Sequence, residues 1–305
     1  MPLNLLIANS KMKAKPGTLY VVATPIGNKD DITLRALNIL REVDVIAAED
    51  TRKTRRFLSQ HNVKGSLISY HEHNEKERTP ELINKLKDGV SIALVSNAGT
   101  PSVSDPGYRL IEAAATTDIN IVPIPGVSAA IAALSVAGLP TDSFTFVGFL
   151  PKKKGKRLRL LSELTNQPRT LIFYESPKRI LILLEEIFDT MGNRAGVLAR
   201  EMTKLHEEFI RGELTEIFDT LKDRSEIKGE CALLVAGCAD AGLSNWETIR
   251  SEIRTALASK NDSVSKAVKI IAKKYGISKN RIYEEALFTI KQMSEAGAQK
   301  AGDSE

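Results

Sequence analysis

Aromatic residues make up 5% of this 305-residue chain, and it contains only two cysteines and four histidines. Each scarcity excludes something. Cys231 and Cys238 lie seven apart with no CxxC spacing, so neither a disulfide framework nor a zinc ribbon is expected, and no metal site is expected either. That cysteine usage fits a reducing, cytoplasmic location. No apolar run is long enough to span a membrane. The apolar stretch at residues 3–8 is too short for a signal-peptide core and lacks a cationic lead, so residues 1–15 read as a loose leader. The phosphate-binding patterns GxxxxGK[ST] and GxGxxG are absent, so ATP and NAD are not the expected guests.

What is present supports an ordinary core, since 42% of residues are apolar. The net charge is +5 and the isoelectric point about 9.0, which permits a nucleic-acid partner without demanding one. The chain is organised around residues 95–107, VSNAGTPSVSDPG. An apolar strand at 91–95 precedes this loop and a helix at 108–115 follows, with Ser104 or Asp105 as its expected cap and Pro106 in its first turn. Gly99 and Gly107 open backbone angles closed to other residues. The loop also reads as a plain tight connection with no ligand.

Strands at 18–23, 45–48, 67–69 and 119–124 alternate with helices at 33–41, 51–60 and 80–87 and with an Ala-rich helix stopping at Gly138. The alternation predicts an open α/β domain over 16–139 with a largely parallel sheet. After a hinge at 138–142, strands at 144–149, 170–174, 196–200 and 231–236, with a further one at 206–211, mix with helices. They predict an α+β domain over 140–241, including a helix entered through Ser176 and Pro177. Residues 242–295 read as helical. One helix is capped by Asp262 or Ser263 and stops at Gly276. Another, capped by Ser278, runs from 279 to about 293, giving a helix-turn-helix pattern that either reads nucleic acid or only packs. Residues 296–305 read as a disordered tail.

Three strand-end loops of small residues, 24–28 (with Pro25 and Gly27), 96–107 and 125–128, would line a pocket for a nucleoside-type cofactor if they converge on one sheet edge. Glu49 and Asp50 also end a strand and can act as acid or base. Alternatively, Asp50 caps the next helix and Glu49 pairs with Arg52. His71 and His73 either carry protons or are simply solvated. Glu175 precedes a helix N-terminus, with Lys178 and Arg179 in the first turn. That arrangement suits a phosphate or is merely surface charge. Lys152, Lys153, Lys154, Lys156, Arg157 and Arg159 place six cations in eight residues, as a solvated face or an RNA or DNA contact.

In order, the segments GTLYVVATPIGN (17–28), DITLRAL (31–37), AAEDTRKTRRFL (47–58), SNAGTPSVSDPGYRL (96–110), PIPGVSAAIAAL (123–134), GLPTDSF (138–144), FYESPKR (173–179) and REMTKLHEE (200–208) resemble the bacterial 16S ribosomal RNA 2′-O-ribose methyltransferases of the tetrapyrrole methylase superfamily. The resemblance covers residues 17–237 and extends to the helical tail. The chain departs from the family at Asn97, where Asp is expected, and at Lys53 and Lys178, where His is expected. The resemblance implies a tetrapyrrole-methylase-like two-domain fold with S-adenosylmethionine folded in the cleft between the domains. Ala98, Gly99, Thr100 and Val103, with Val127, Ser128 and Ala129, would hold its adenosine and methionine parts. Tyr174, Met202 and Thr203 would face it from the second domain. The resemblance also implies a homodimer whose basic surface grips 16S rRNA or the small ribosomal subunit, with Arg52, Arg55, Lys152, Lys153, Lys154, Lys156, Arg157, Lys178 and Arg179 as the candidate contacts.

The implied reaction is methyl transfer to the ribose 2′-hydroxyl of a cytidine in the decoding centre. A hydroxyl is a poor nucleophile until deprotonated, so in-line positioning and a base within reach both matter. The candidate bases, in order, are Glu49, Asp50 and Glu175. Two rival readings stand beside this one: methylation of a tetrapyrrole, and a non-enzymatic RNA-binding or assembly protein. The basic run and the helical tail argue against the first, because a small macrocycle needs neither.

Overall fold

Strand and helix alternate from Thr18 onward in the computed structural model, which describes residues 14–238, 246–258, 264–275 and 277–302. Most of the expected leader, the expected caps Asp262 and Ser263, and the stop at Gly276 lie outside the described residues. The contacts divide the chain into two units. One comprises Met1–Ala132 with Met202–Leu205, and the other Ala133–Glu201 with His206–Glu305.

In the first unit, β1 (Thr18–Val22), β2 (Val45–Ala48), β3 (Leu67–Ser69), β4 (Ile92–Val95) and β5 (Asn120–Ile124) form one wholly parallel sheet in the order β3-β2-β4-β1-β5. Every residue of β4 is buried, as expected of a strand covered on both faces. One face packs against α1 (Leu34–Glu42) and α2 (Thr51–Gln60) through Ile39, Leu40, Ile46 and Leu58. The other packs against α3 (Glu75–Lys87) and α4 (Tyr108–Ala115) through Leu82, Leu86, Leu94 and Leu110. Thr33 caps α1 by accepting from the Ala36 N–H, and Asp50 caps α2 by accepting from the Arg52 and Lys53 N–H groups.

Two helix starts differ from the sequence reading. α3 opens at Glu75, five residues before Pro80, because the His71 carbonyl accepts from both Asn74 and Glu75 and closes the entering turn. Pro80 then sits inside the helix on its exposed side, so the carbonyl its missing N–H leaves unpaired can face water. α4 is capped by Gly107 (φ 137°) and not by Ser104 or Asp105, and Pro106 lies before the helix. A Cβ at position 107 would stand 2.8 Å from Leu94 Cδ2 in a backbone conformation that side chains resist.

Chain order then gives α5 (Ala129–Ala137), ended by Gly138 at φ 75°. The second unit holds β6 (Phe144–Phe149), α6 (Lys154–Leu164), β7 (Thr170–Glu175), α7 (Ile180–Met191), β8 (Ala195–Arg200), β9 (Glu208–Glu213), α8 (Leu214–Lys222) and β10 (Cys231–Val235). Its sheet runs β6-β7-β10-β8-β9, with β6 and β7 parallel and the other pairs antiparallel. Leu161, Phe173, Leu184, Ile187, Leu198, Ile217 and Leu233 form its core. α7 begins later than Ser176 and Pro177 suggest, at Ile180, because residues 177–179 form a turn in which the Arg179 N–H donates to Ser176 O. Lys178 and Arg179 therefore precede the helix instead of lying in its first turn.

α9 (Trp246–Ala258), α10 (Val264–Tyr275) and α11 (Lys279–Gly302) bury their own cluster of Ile249, Ile253, Val268, Ile271, Ala272, Ile282 and Ala286. Lys279 Nζ meets Asp189 at 2.7 Å, linking this bundle to α7. α11 continues well past residue 293, where the sequence reading ended it, through residues rich in the helix formers Ala, Gln, Glu and Lys.

Candidate functional site: the loop edge of the parallel sheet

β1 and β4 are neighbours, yet the connection from β1 leads to β2 on one side and that from β4 leads to β5 on the other. Where adjacent connections part in this way, a crevice opens at the carboxyl ends of the strands. Here the loops are also bonded to one another. The Thr24 N–H donates to Gly99 O at 2.8 Å and the Gly99 N–H returns to Thr24 O at 2.9 Å. Thr24 Oγ1 donates to Ser96 O at 3.2 Å, and Thr100 Oγ1 donates to Val127 O at 3.3 Å. The Asn97 N–H donates to Glu49 Oε2 at 3.0 Å. The ends of β2, β4, β1 and β5 are thus joined through the loop that the sequence singled out.

That loop carries backbone strain. Ser102 and Ser104 hold φ angles of 69° and 63°, and Gly99 one of 78°. Side-chain-bearing residues adopt such angles at a cost of about 1–3 kcal/mol each, so the surroundings must enforce them. Pro25, Gly27, Ala98, Gly99, Thr100, Val103, Val127, Ser128 and Ala129 all belong to these loops or to the helix start that follows them. The donors they offer are neutral: backbone groups and hydroxyls. Neither 23–28, 96–107 nor 125–129 contains a Lys or Arg, whereas Glu49 and Asp105 are acidic. Neutral donors beside two carboxylates suit a nucleoside carrying positive charge better than a polyphosphate.

Met202 and Thr203 reach the site differently from the expectation. They lie in Met202–Leu205, which packs with the first unit although the chain on either side belongs to the second. Thr203 (φ 66°) accepts from the Asn28 N–H at 2.9 Å, and Met202 is buried. Glu201 (φ 50°) starts this excursion and is anchored by the Glu230 N–H donating to its Oε1 at 3.0 Å. Nothing in sequence spacing announces a strap of this kind. Tyr174 stays in the second unit, with its ring edge-on to Phe146 and Phe149.

The three candidate bases separate on contact. Glu175 is 3% exposed, and Arg179 grips both of its oxygens at 2.8 and 2.5 Å while the Ser176 N–H occupies one of them at 2.7 Å. It is a structural anion and not an open base. Asp50 caps α2, and the N–H groups of Lys53 and Arg52 hold its carboxyl below the usual carboxylate range. That lowers its power to take a proton. Arg52 pairs with Asp50 at 3.7 Å and not with Glu49. Glu49 alone touches the central loop directly.

The basic candidates separate as well. Arg157 is 8% exposed and forms a two-pronged ion pair with Glu186, Nη2 to Oε1 at 2.7 Å and Nε to Oε2. It therefore leaves the proposed RNA surface, as does the Arg179 guanidinium through its grip on Glu175. Lys152, Lys153, Lys154, Lys156, Lys178, Arg52 and Arg55 are exposed. His71 and His73 lie 6.0 Å apart, edge to face, after β3. Among the described residues, no group of three or more His, Cys, Asp or Glu could hold a metal ion.

A parallel sheet with loops knotted at its switch point, followed by a mixed sheet, defines a tetrapyrrole methylase architecture. Residues 18–217 match the family described as Tetrapyrrole (Corrin/Porphyrin) Methylases. A solved uroporphyrin-III C-methyl transferase from Thermus thermophilus, complexed with S-adenyl homocysteine, shares the fold at TM-score 0.51 and 17% identity, over 72% of this chain and 97% of that one. The ribosomal RNA small subunit methyltransferase I of Halalkalibacterium halodurans is 44% identical over 88% of this chain and 93% of its own length. That of Micromonospora olivasterospora is 40% identical over 90% and 87%. The chain belongs to the ribosomal RNA small subunit methyltransferase I family within the tetrapyrrole methylases.

Proposed function

We propose that this chain transfers a methyl group from S-adenosylmethionine to the ribose 2′-hydroxyl of a cytidine in the decoding centre of 16S ribosomal RNA. It acts on the rRNA or on the small subunit, as a cytoplasmic homodimer. The observation that supports this most is the crevice of mutually bonded loops without Lys or Arg at the β1–β4 switch point, in a chain that is 40–44% identical over most of its length to proteins bearing the small-subunit rRNA methyltransferase name. Among the described residues no helix is long and apolar enough to cross a membrane. A tetrapyrrole substrate is the weaker reading, because the structural neighbours that act on one share only the fold.

The loop residues fit the cofactor by their chemistry. Ala98, Gly99, Thr100 and Val103, with Val127, Ser128 and Ala129, offer backbone groups, hydroxyls and an exposed apolar side chain for an adenosine, and Glu49 and Asp105 supply negative charge for a cationic ligand. S-adenosylmethionine supplies a sulfonium-bound methyl that is already electrophilic. The protein therefore has to hold the acceptor hydroxyl in line and remove its proton, and positioning alone can supply a large part of the barrier reduction. Glu49 takes the base role among the three carboxylates, since Asp50 and Glu175 are committed to other partners. Its Oε2 also anchors the Asn97 N–H, which ties the proposed base to the central loop.

Single-turnover methylation of small subunits with Glu49→Gln and Glu49→Ala tests this. The amide retains an oxygen for the Asn97 N–H but cannot accept the proton. Both variants should slow transfer by about 100-fold or more, the usual range for general-base loss, and Glu49→Gln should keep its affinity for S-adenosylhomocysteine, which lacks the sulfonium charge. Transfer by Glu49→Gln at the wild-type rate would reduce Glu49 to a loop anchor. Wild-type protein that methylates a precorrin and not the subunit would overturn the substrate assignment.

A further inference from the structure

β6 is an edge strand of the second sheet, and a bulge interrupts its pairing with β7. Phe146 pairs with Ile172, but Gly148 (φ 68°) pairs with Phe173 and Phe149 with Tyr174. Residues three apart on a regular strand face opposite ways. The extra residue turns Phe149 onto the same face as Phe146 and Tyr174, as bulges near functional sites commonly do. The Tyr174 ring then lies edge-on to Phe146 at 5.0 Å and to Phe149 at 5.6 Å. Phe149 is nevertheless 58% exposed. The ring is fixed by its neighbour and leaves much of its surface to solvent.

The next three residues are held from inside. Arg179 Nη2 donates to Leu150 O at 3.5 Å, and Arg157 Nη1 donates to Pro151 O at 3.1 Å and to Lys152 O at 2.9 Å. Both guanidiniums are fixed in turn by buried carboxylates, Glu175 and Glu186. Three successive carbonyls are thus pinned, and the turn they form, with the start of α6 that follows it, presents Lys152, Lys153, Lys154 and Lys156 to solvent. No Asp or Glu occurs from residue 144 to residue 162.

We propose that Phe149 is a stacking platform for an unpaired base of the bound RNA strand, with the lysines of the pinned turn and of the first turn of α6 taking nearby phosphates. This rests on the RNA-substrate reading above. An aromatic face beside a basic track is how single strands are held without duplex geometry. The charge favours RNA over a second copy of this chain, because a symmetric contact would bring the same lysines against one another.

The test uses the full chain with Phe149→Ala, Phe149→Leu and Phe149→Trp. It measures kcat and KM for the small subunit, affinity for S-adenosylhomocysteine, and mass by light scattering. Loss of one stacked base should raise KM by about 5- to 100-fold in the Ala and Leu variants, with kcat within about 2-fold and S-adenosylhomocysteine affinity unchanged. Trp should stay within about 3-fold of wild type, because its larger face stacks at least as well. Since the side chain is largely exposed, folding should survive all three changes. A Leu variant equal to wild type would show that apolar area and not stacking matters, and would overturn the proposal. So would a change of mass in the Ala variant, which would make this face a contact between copies. Wild-type protein that fails to bind the subunit at all would instead remove the RNA reading itself.

Discussion

Glu208 opens β9 and accepts from two arginines. Arg224 donates to both of its oxygens, at 2.6 and 2.8 Å, and Arg200 donates to Oε2 at 2.9 Å. The hydrogen bonds from Arg224, helped by Arg200, hold its carboxyl down to about 2 from an ordinary 4.5. Arg200 ends β8 and Glu208 begins β9, so this cluster clamps both ends of the segment that contains Met202–Leu205. A carboxyl depressed in the folded state adds stability above the unfolded value, and the gain fades as pH falls from about 4.5 toward 2. With 29% of the side chain exposed, screening reduces the contribution to about 1–2 kcal/mol. Glu208→Gln should therefore lower the urea midpoint at pH 7, and the gap from wild type should close as pH approaches 2. A gap of the same size at pH 7 and pH 2.5 would rule out the linkage. Single residues were also where sequence reading was weakest. The cations from Lys152 to Arg159 look alike as text, but Arg157 falls on the inner side of α6 with Leu161 and meets a glutamate 29 residues away. Only packing reveals that partner.

Elements were far more legible than residues where their signals are local. Asp50, which reads as a cap in one of its two alternatives, acts as one, and the burial of β4 follows from its unbroken apolar run. The sequence misled where a local rule was overridden. Pro80 suggested a helix start, but the turn at His71 had already begun the helix. Ser104 and Asp105 suggested a cap, but the space beside Leu94 demands Gly107. The strap was invisible because its contact is long-range. It packs so closely on the loop after β1 that a Cβ at Gly27 would stand 2.5 Å from Lys204 Cγ, 2.7 Å from Thr203 Oγ1 and 2.9 Å from Met202 O. Gly27→Ala should push the strap away and break the Asn28–Thr203 hydrogen bond, at a cost of about 1–3 kcal/mol typical of overpacking. Thr203→Ala removes the hydroxyl that accepts from Asn28 without adding bulk, and should cost about 1 kcal/mol. Amide exchange at Asn28 should accelerate in both variants, and cofactor affinity should fall more in Gly27→Ala. If Gly27→Ala binds cofactor as wild type does, the strap plays no part in holding it.

At the scale of the whole molecule, the net charge of +5 conceals two kinds of cation. Exposed ones, such as Lys152, Lys153 and Lys154, do little for the fold and are available to phosphates. Buried or gripped ones, Arg157 above all, hold the fold and reach no outside partner. The two kinds should respond oppositely. Replacing all three lysines with Gln should leave the melting temperature nearly unchanged. It should also flatten the salt dependence of RNA binding, reducing the slope of log K against log salt by about 2, at ~0.7 per phosphate on a single strand. Arg157→Ala strands the Glu186 carboxylate in the core and should cost about 3–5 kcal/mol of stability. The double change Arg157→Met with Glu186→Leu removes the pair and the stranded charge together, so the melting temperature should largely recover. The carbonyls of Pro151 and Lys152 then lose their donor, and the lysine turn is no longer pre-set. The double variant should therefore be as stable as wild type yet bind RNA more weakly, at an unchanged salt slope, because its lysines are all still there. If it binds as tightly as wild type, the buried pair serves the fold alone, and the order it imposes on the basic turn is irrelevant to the RNA.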